Sequence, residues 1–139
     1  MPLDRADIER LIPHAGAMVL LDRVVHWDAA LLTGETEAHL RPDNPLRRDG
    51  RLAAIAGVEI AAQAMAVHGG LVAGGAMRRG RLASLRDIRL HVDRLDTVIG
   101  PMTVVAELLS DGDAACVYGF RLLGGARPLI DGRAGVFFT

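Results

Sequence analysis

The sequence AAIAGVEIAAQAMAVHGGL, residues 53–71, is apolar at almost every position and is predicted to form one long helix. A helix of this composition has no solvent face, so we expect it to lie in the core of the fold. Its polar exceptions are His68 and the pair Glu59 and Gln63, which are four residues apart and share one helix face. Because a buried, unpaired carboxylate is energetically costly, Glu59 is a candidate functional residue.

The composition is that of an ordinary soluble protein. Of the 139 residues, 50% are apolar and 24% are charged, which is typical of a soluble globular protein. The length of the chain predicts a single domain over residues 1–139. The net charge of −1 gives no overall attraction for nucleic acid or for an anionic membrane. We therefore expect neither as a partner.

Cysteine content and the first residues predict the compartment. The single cysteine, Cys116, excludes an internal disulfide and is typical of a reducing environment. No signal-like segment follows Met1, and no apolar run reaches the length of a bilayer span. We therefore expect a cytoplasmic protein. Since no Cys and His cluster has metal-ligand spacing, no metal or organic cofactor is expected.

Stretches rich in β-branched and apolar residues lie on both sides of the helix in the sequence and predict six strands. In the first strand after the helix, Leu85, Ile88, Leu90 and Val92 are the expected inward positions, and the break in alternation after Leu85 indicates a bulge. The predicted elements are a short helix at 3–11, strands at 18–27 and 31–40, the long helix, and strands at 82–95, 103–109, 115–123 and 128–138.

One curved antiparallel sheet wrapped around the helix is the simplest way to cover so apolar a segment. This α+β arrangement is the hotdog fold. A single sheet of this type leaves its edge strands open, and pairing of edges across a two-fold axis would close them. We therefore predict a homodimer or a larger oligomer.

Two patches of the sequence resemble a known enzyme family. The segment IPHAGAMVLLDRVV, residues 12–25, resembles the opening of the FabA/FabZ-type 3-hydroxyacyl-(acyl carrier protein) dehydratases. The pair Pro13-His14 and the triplet Asp22–Val24 keep that family's spacing. Glu59 and Gln63 resemble the acidic residue and the glutamine of its central helix.

A closer likeness is to the predicted hotdog dehydratases of aryl-polyene-type gene clusters, through NPLRRDGR at 44–51 and AAQAM at 61–65. The resemblance implies a dehydratase of 3-hydroxyacyl thioesters in fatty acid or polyene biosynthesis. It also implies an acyl carrier protein or a CoA thioester as the partner that presents the substrate, and no cofactor.

The sequence departs from the family pattern at the catalytic base. Where the family has its loop histidine, alternative alignments place Asn44, Pro45 or Arg47. The nearest upstream histidine is His39, which we predict to be the base. Acid and base come from opposite subunits in the resembling families, so separation in the sequence does not exclude it. An ordinary structural histidine at the end of a strand is the alternative.

Dehydration needs a base for the C2 proton, an acid for the leaving hydroxyl and donors for the thioester oxygen. We predict that Glu59 is the acid, because apolar surroundings favour a protonated carboxyl group. The backbone N–H of Gly57 is the predicted donor, and Gln63 and Asn44 are predicted to contact substrate. The alternatives are that Glu59 pairs with a loop arginine and that Gln63 satisfies backbone groups.

Two clusters of arginine flank the helix in the sequence. The first cluster, before the helix, is Arg47, Arg48 and Arg51, and the second, after it, is Arg78, Arg79 and Arg81. Guanidinium groups bind phosphate and carboxylate well, so we predict that these residues dock an acidic carrier protein and its phosphopantetheine phosphate. The alternative is a pair of solvated loops.

Two other functions stay open at this point. A hotdog thioesterase would use Glu59 to activate water against the thioester carbonyl. A dehydratase-like subunit without its own catalysis would bind acyl chains, or would work in a hetero-oligomer with a second, catalytically complete hotdog subunit. Loss of a general base costs on the order of 10²–10⁴ in rate, enough to make such a chain inactive alone.

Overall fold

The computed structural model describes residues 2–75 and 80–138. In these residues, two helices and six strands form the architecture, together with 3₁₀ turns at Gly16–Met18, Ala38–Leu40 and Ala54–Ala56. The elements are α1 (Arg5–Glu9), β1 (Arg23–Trp27), β2 (Leu31–Thr36), α2 (Gly57–Val72), β3 (Gly80–Leu90), β4 (Met102–Asp111), β5 (Ala115–Gly124) and β6 (Arg127–Phe138).

The strands form one antiparallel sheet in the order β1-β2-β4-β5-β6-β3. Helix α2 packs across the face made by β2, β4 and β5. Alternate residues of these strands, such as Val104, Ala106 and Leu122, point at the helix and are buried. The predicted α+β architecture, a sheet around one long helix, is therefore confirmed.

The start of α2 is pinned to the sheet end by the segment before β4. Leu95 donates its backbone N–H to the carbonyl of Leu52 at 2.8 Å, and Leu52 donates to the Asp96 carboxylate at 2.9 Å. The side-chain hydrogen bond from Arg94 holds the pKa of Asp96 well below its usual range. The carboxylate is thus charged under all ordinary conditions and keeps the entry to α2 in place.

Gly57 lets the first turn of α2 approach the sheet closely. A Cβ atom at this position would lie 3.0 Å from Leu122 Cδ2 and 3.2 Å from Ile130 Cγ2. A side chain here would require the Leu122 and Ile130 side chains to move by a few tenths of an ångström. Glycine at this position therefore suits the close packing of the helix on the sheet.

Helix α2 is not buried on every side, contrary to the prediction from its composition. Glu59 is exposed, and Ala62 and Ala66 are only half-buried. These residues lie on one face of the helix, and the sheet curls around the other faces. The prediction that no apolar run reaches the length of a bilayer span is wrong for the helical stretch Ala54–Val72, which is long and apolar enough by length and composition. Of its most apolar window, 61% is buried in the fold, as in a core helix.

Strand β3 lies at one edge of the sheet and pairs with β6 alone among the described strands. The predicted bulge is confirmed, since the register shifts between Arg86 and Arg89 and Asp87 has a φ of 54°. The prediction that Leu85 and Leu90 point inward is wrong for the single chain: they are 42% and 50% exposed. Nothing in the described chain covers them.

The first two strands are shorter than predicted. Met18 belongs to a 3₁₀ turn, and β1 starts only at Arg23. Strand β2 ends at Thr36, and His39 lies in the 3₁₀ turn that follows. The apolar residues Val19–Leu21 between turn and strand are fully buried, which explains why their composition resembled that of a strand.

Candidate active site

A cavity of about 490 Å³ opens beside the uncovered face of α2. This volume is in the range of small-molecule binding sites. Its wall is apolar apart from a few polar groups, of which Glu59 is the one carboxylate among the described residues. The lining residues come from α2, from the segment before β1, and from β3, β5 and β6: Pro13, His14, Glu59, Ala62, Gln63, Met65, Ala66, Gly69, Gly80, Arg81, Leu82, Tyr118 and Val136.

The cavity follows α2 because the helix carries small residues along this face. Ala62, Ala66 and Gly69 succeed Glu59 at the spacing of one helix turn and all line the cavity. Larger side chains here would fill the space next to the carboxylate. The arrangement leaves an apolar slot that leads away from Glu59.

Gln63 fastens the segment before β1 to α2. Its side chain is buried, its Oε1 accepts a hydrogen bond from the backbone N–H of Leu20 at 2.7 Å, and its Nε2 donates to the carbonyl of Met18 at 2.6 Å. Both ends of the amide therefore serve the backbone, as the alternative interpretation of Gln63 expected. Contact with substrate stays a prediction for this residue.

His14 lines the same cavity as Glu59. Its ring is half-buried, and its Nδ1 is enclosed without a hydrogen-bond partner. A histidine that follows a proline at the end of a helix is expected to anchor local backbone, yet neither ring nitrogen makes a hydrogen bond within residues 2–75 and 80–138. The resemblance at this pair was the one sequence signal that marked the position.

His39 is fully buried and does not line the cavity. Its Nε2 lies 2.9 Å from the carbonyl of Gly100, which can only accept, so Nε2 carries the proton and Nδ1 does not. Burial lowers the pKa of His39, against the opposing effect of the Gly100 and Val98 carbonyls. The structure thus gives His39 an enclosed position in this chain, and its role as the base stays a prediction.

The residues predicted to contact substrate near the start of the helix are engaged with the backbone. Asn44 is buried, and its Nδ2 donates to the carbonyl of Ala38 at 2.8 Å. The N–H of Gly57 is directed at the carbonyls of Ala54 and Ile55 in the turn before α2. Donation to a thioester oxygen would require that turn to open.

The first arginine cluster shapes its own loop. Arg47 donates from Nη2 to the carbonyl of His39 at 2.8 Å and from Nη1 to that of Gly50 at 3.0 Å. Arg48 donates to the carbonyl of Pro45 at 3.0 Å. These guanidinium groups therefore stabilise the loop, and docking of a carrier protein stays a prediction.

The second arginine cluster is only partly visible. Arg78 and Arg79 lie outside the described residues. Arg81, the next arginine along the chain, is exposed and lines the cavity. It supplies a positive charge in the wall of the cavity that contains Glu59.

His68 supports the cavity wall from behind. It is fully buried, with Nε2 2.8 Å from the carbonyl of Asp28 and Nδ1 2.7 Å from the hydroxyl of Tyr118. Because the carbonyl only accepts, Nε2 is the donor, and in the neutral ring Nδ1 accepts from Tyr118. His68 is therefore a buried link that orients Tyr118, which lines the cavity.

Comparison with known proteins identifies the family and the fold. A family model described as ApeP-like, ApeP dehydratase, matches residues 6–139. No match was found among curated proteins.

Solved structures resemble the chain at low identity. The dehydratase heterocomplex ApeI:P from Xenorhabdus doucetiae matches with a TM-score of 0.83 and 21% identity, over 95% of this chain and 90% of that one. AziG from S. sahachiroi gives 0.69 and 14%, over 93% and 98%. A mutant thioesterase from Pseudomonas aeruginosa gives 0.63 and 19%, over 86% and 81%. These likenesses identify the hotdog fold predicted from the sequence.

Proposed function

Because the chain belongs to the ApeP-like dehydratase family, we propose that it dehydrates 3-hydroxyacyl thioesters presented by an acyl carrier protein or as CoA thioesters. The observation that carries this proposal is the apolar cavity beside α2, with Glu59 as the carboxylate in its described wall. A 3-hydroxyacyl group is a short polar head on an apolar chain. The Glu59 carboxyl group matches the polar head, and the apolar slot lined by small residues matches the chain.

Glu59 acts as the acid that protonates the leaving hydroxyl. In its protonated form it gives its proton to the oxygen at C3, and water departs. The exposed position of Glu59 in the single chain requires a further cover to exclude solvent from this step. Bound acyl chain and a second subunit together would provide it.

A second hotdog subunit is the proposed cover. Among the described strands, β3 pairs on one side only. Its exposed Leu82 lines the cavity, and its exposed Leu85 lies further along the same strand. Exposed apolar residues on an open strand edge favour pairing with another strand. We propose a homodimer or a hetero-oligomer, and the solved ApeI:P structure, a dehydratase heterocomplex, supports the second form.

We propose that the acyl carrier protein docks at the part of the cavity wall that contains Arg81. Its guanidinium is exposed at the cavity that would receive the thioester. A phosphopantetheine arm carries a phosphate close to its attachment point, and an arginine binds phosphate with two parallel hydrogen bonds. Docking at the Arg47 and Arg48 loop and at Arg78 and Arg79 is retained as part of the same proposal.

The test uses Glu59→Gln, which keeps the size and the hydrogen bonding of the side chain and removes the acid. The purified protein, alone and mixed with a second hotdog dehydratase subunit, is given a 3-hydroxyacyl thioester. Wild type should form the enoyl thioester, and Glu59→Gln should lose about 10²–10⁴ in kcat while it stays folded. Equal rates for the two proteins would contradict the proposal.

The same assay separates the alternatives. Release of free thiol without enoyl product would indicate a thioesterase. Enoyl product that forms only in the mixture, and at equal rate with Glu59→Gln, would indicate a non-catalytic subunit. The likeness to a thioesterase at 19% identity concerns the fold and does not favour that activity.

A further inference from the structure

The proposed dehydration needs a base, and the residue that fills this role has not yet been assigned in the site. Five histidines occur in the chain. His39 and His68 are fully buried and hydrogen-bonded to backbone carbonyls. His26 and His91 lie on the surface beside Asp28 and Asp131. His14 is the histidine that lines the cavity of Glu59.

We infer that His14 is the base that removes the C2 proton of the substrate, an inference that rests on the proposed function. Its ring borders the cavity and has no hydrogen bond within the described residues, so no existing partner has to be displaced before a proton is accepted. His39 also has an unpartnered ring nitrogen, Nδ1, but its side chain is fully buried and does not line the cavity. Both ring nitrogens of His68 are engaged in hydrogen bonds.

The position of His14 relative to Glu59 is set by the fold. Glu59 and Gln63 are one turn apart on α2, and Gln63 holds the segment that follows His14 through Leu20 and Met18. At the near end of this segment, Arg5 donates to the carbonyl of Gly16 at 3.0 Å. These hydrogen bonds tie the segment that follows His14 to the helix that carries Glu59, and a fixed arrangement of acid and base lowers the entropic cost of a reaction.

The charges that develop during the reaction suit this pair. His14 becomes an imidazolium as it takes the proton, and Glu59 becomes a carboxylate as it gives one. Opposite charges attract strongly in an apolar cavity. The other titratable groups in the wall are Arg81 and Tyr118, and the developing carboxylate also lies in the same cavity as the Arg81 cation.

The step is balanced without a further reactant. The C2–H bond breaks, the proton binds a ring nitrogen of His14, and the electron pair forms the C2–C3 double bond. The C3–O bond breaks, and the oxygen takes the proton of Glu59 and leaves as water. Transfer of a proton from imidazolium to carboxylate then restores both groups.

The test is chemical rescue. His14→Ala opens space for free imidazole, and His14→Gln keeps a polar side chain but no base. Both variants should lose about 10²–10⁴ in kcat with little change in KM, and added imidazole should restore activity to His14→Ala in proportion to its neutral form. The matched control is His26→Ala, whose side chain is 59% exposed and lies outside the cavity lining; it should behave as wild type with or without imidazole.

Two results would overturn the inference. One is a His14→Ala variant whose kcat stays within threefold of wild type. The other is a folded His14→Ala variant with a large loss in kcat that added imidazole does not reverse. Glu59→Ala, which lacks the acid and keeps the base, is the control and should not respond to imidazole. If wild type and His26→Ala form no enoyl product, alone or with a second hotdog subunit, the proposed function itself fails. These outcomes are therefore distinguishable.

Discussion

The side chain of Gln63 holds the backbone N–H of Leu20 at 2.7 Å and so joins the central helix to the segment that carries His14. A second hydrogen bond, to the carbonyl of Met18, completes the link. The segment is held from the other side by the hydroxyl of Thr36, which donates to the carbonyl of Leu20. The glutamine is therefore the link between this segment and the helix wall of the cavity. The first prediction follows from it.

Gln63→Leu should lower the free energy of unfolding by about 1–3 kcal/mol, because the buried N–H and carbonyl lose their partner. Its kcat should fall as well, since His14 loses its support. Gln63→Glu is the matched variant: it keeps an acceptor for Leu20 and loses the donor to Met18. Urea unfolding and steady-state kinetics check both. An unchanged unfolding free energy in Gln63→Leu would contradict the role of the link.

Substitution of alanine for two glycines of α2 should change the stability of the fold in opposite directions. Gly57→Ala places a methyl group 3.0 Å from Leu122 and 3.2 Å from Ile130 and should destabilise the fold by about 1–3 kcal/mol. Gly69→Ala meets nothing within 4 Å and should stabilise the helix by up to about 1 kcal/mol. Thermal unfolding of the two variants measures the difference. Similar Tm values would argue against the close packing at Gly57.

The buried ring of His39 predicts a pH dependence of stability. Burial lowers its pKa, so the unfolded chain binds the proton more readily than the folded one. The contribution of the neutral, buried His39 ring to folding stability is fully present above the unfolded pKa of about 6.5 and is lost as the pH falls below that value. His39→Gln, which does not titrate, should show a shallower loss of stability between about pH 7 and pH 5. His26→Gln, at an exposed position, is the control and should follow wild type.

The same His39→Gln variant separates the two candidate bases. If His14 is the base, kcat at neutral pH should stay close to that of wild type after His39→Gln and should fall after His14→Gln. The reverse pattern would support the role predicted for His39 from the sequence. Rates are compared only at a pH where both variants are folded.

The open edge of β3 predicts association through this strand. Leu85→Arg places a charge on the edge and should weaken the oligomer, as seen by light scattering over a range of concentrations. Leu109→Arg is the matched control, since Leu109 is 47% exposed on β4, an interior strand of the sheet. Equal effects of the two substitutions would mean that β3 is not the interface.

Much of the fold follows from local patterns in the sequence. The apolar run at 53–71 and the alternating stretches after it predicted α2 and β4 to β6 within a few residues, because helix and strand periods depend on neighbouring residues alone. The prediction that residues 18–21 belong to the first strand was wrong, since buried apolar residues in an extended loop have the composition of a strand. The uncovered face of α2 was also not predicted from the sequence, because it depends on how far the sheet curls around the helix.

The sequence by itself determined the family, the helix with its carboxylate, and Glu59 as a candidate acid, since a charged residue in an apolar helix is visible without coordinates. Only the tertiary structure decided which histidine shares its cavity. Proximity in the sequence to the expected loop favoured His39, yet the backbone encloses His39 against Gly100. The path of the segment held by Gln63 brings His14, far away in the sequence, to the cavity wall. Long-range contacts of this kind arise from packing between elements, which no local pattern encodes.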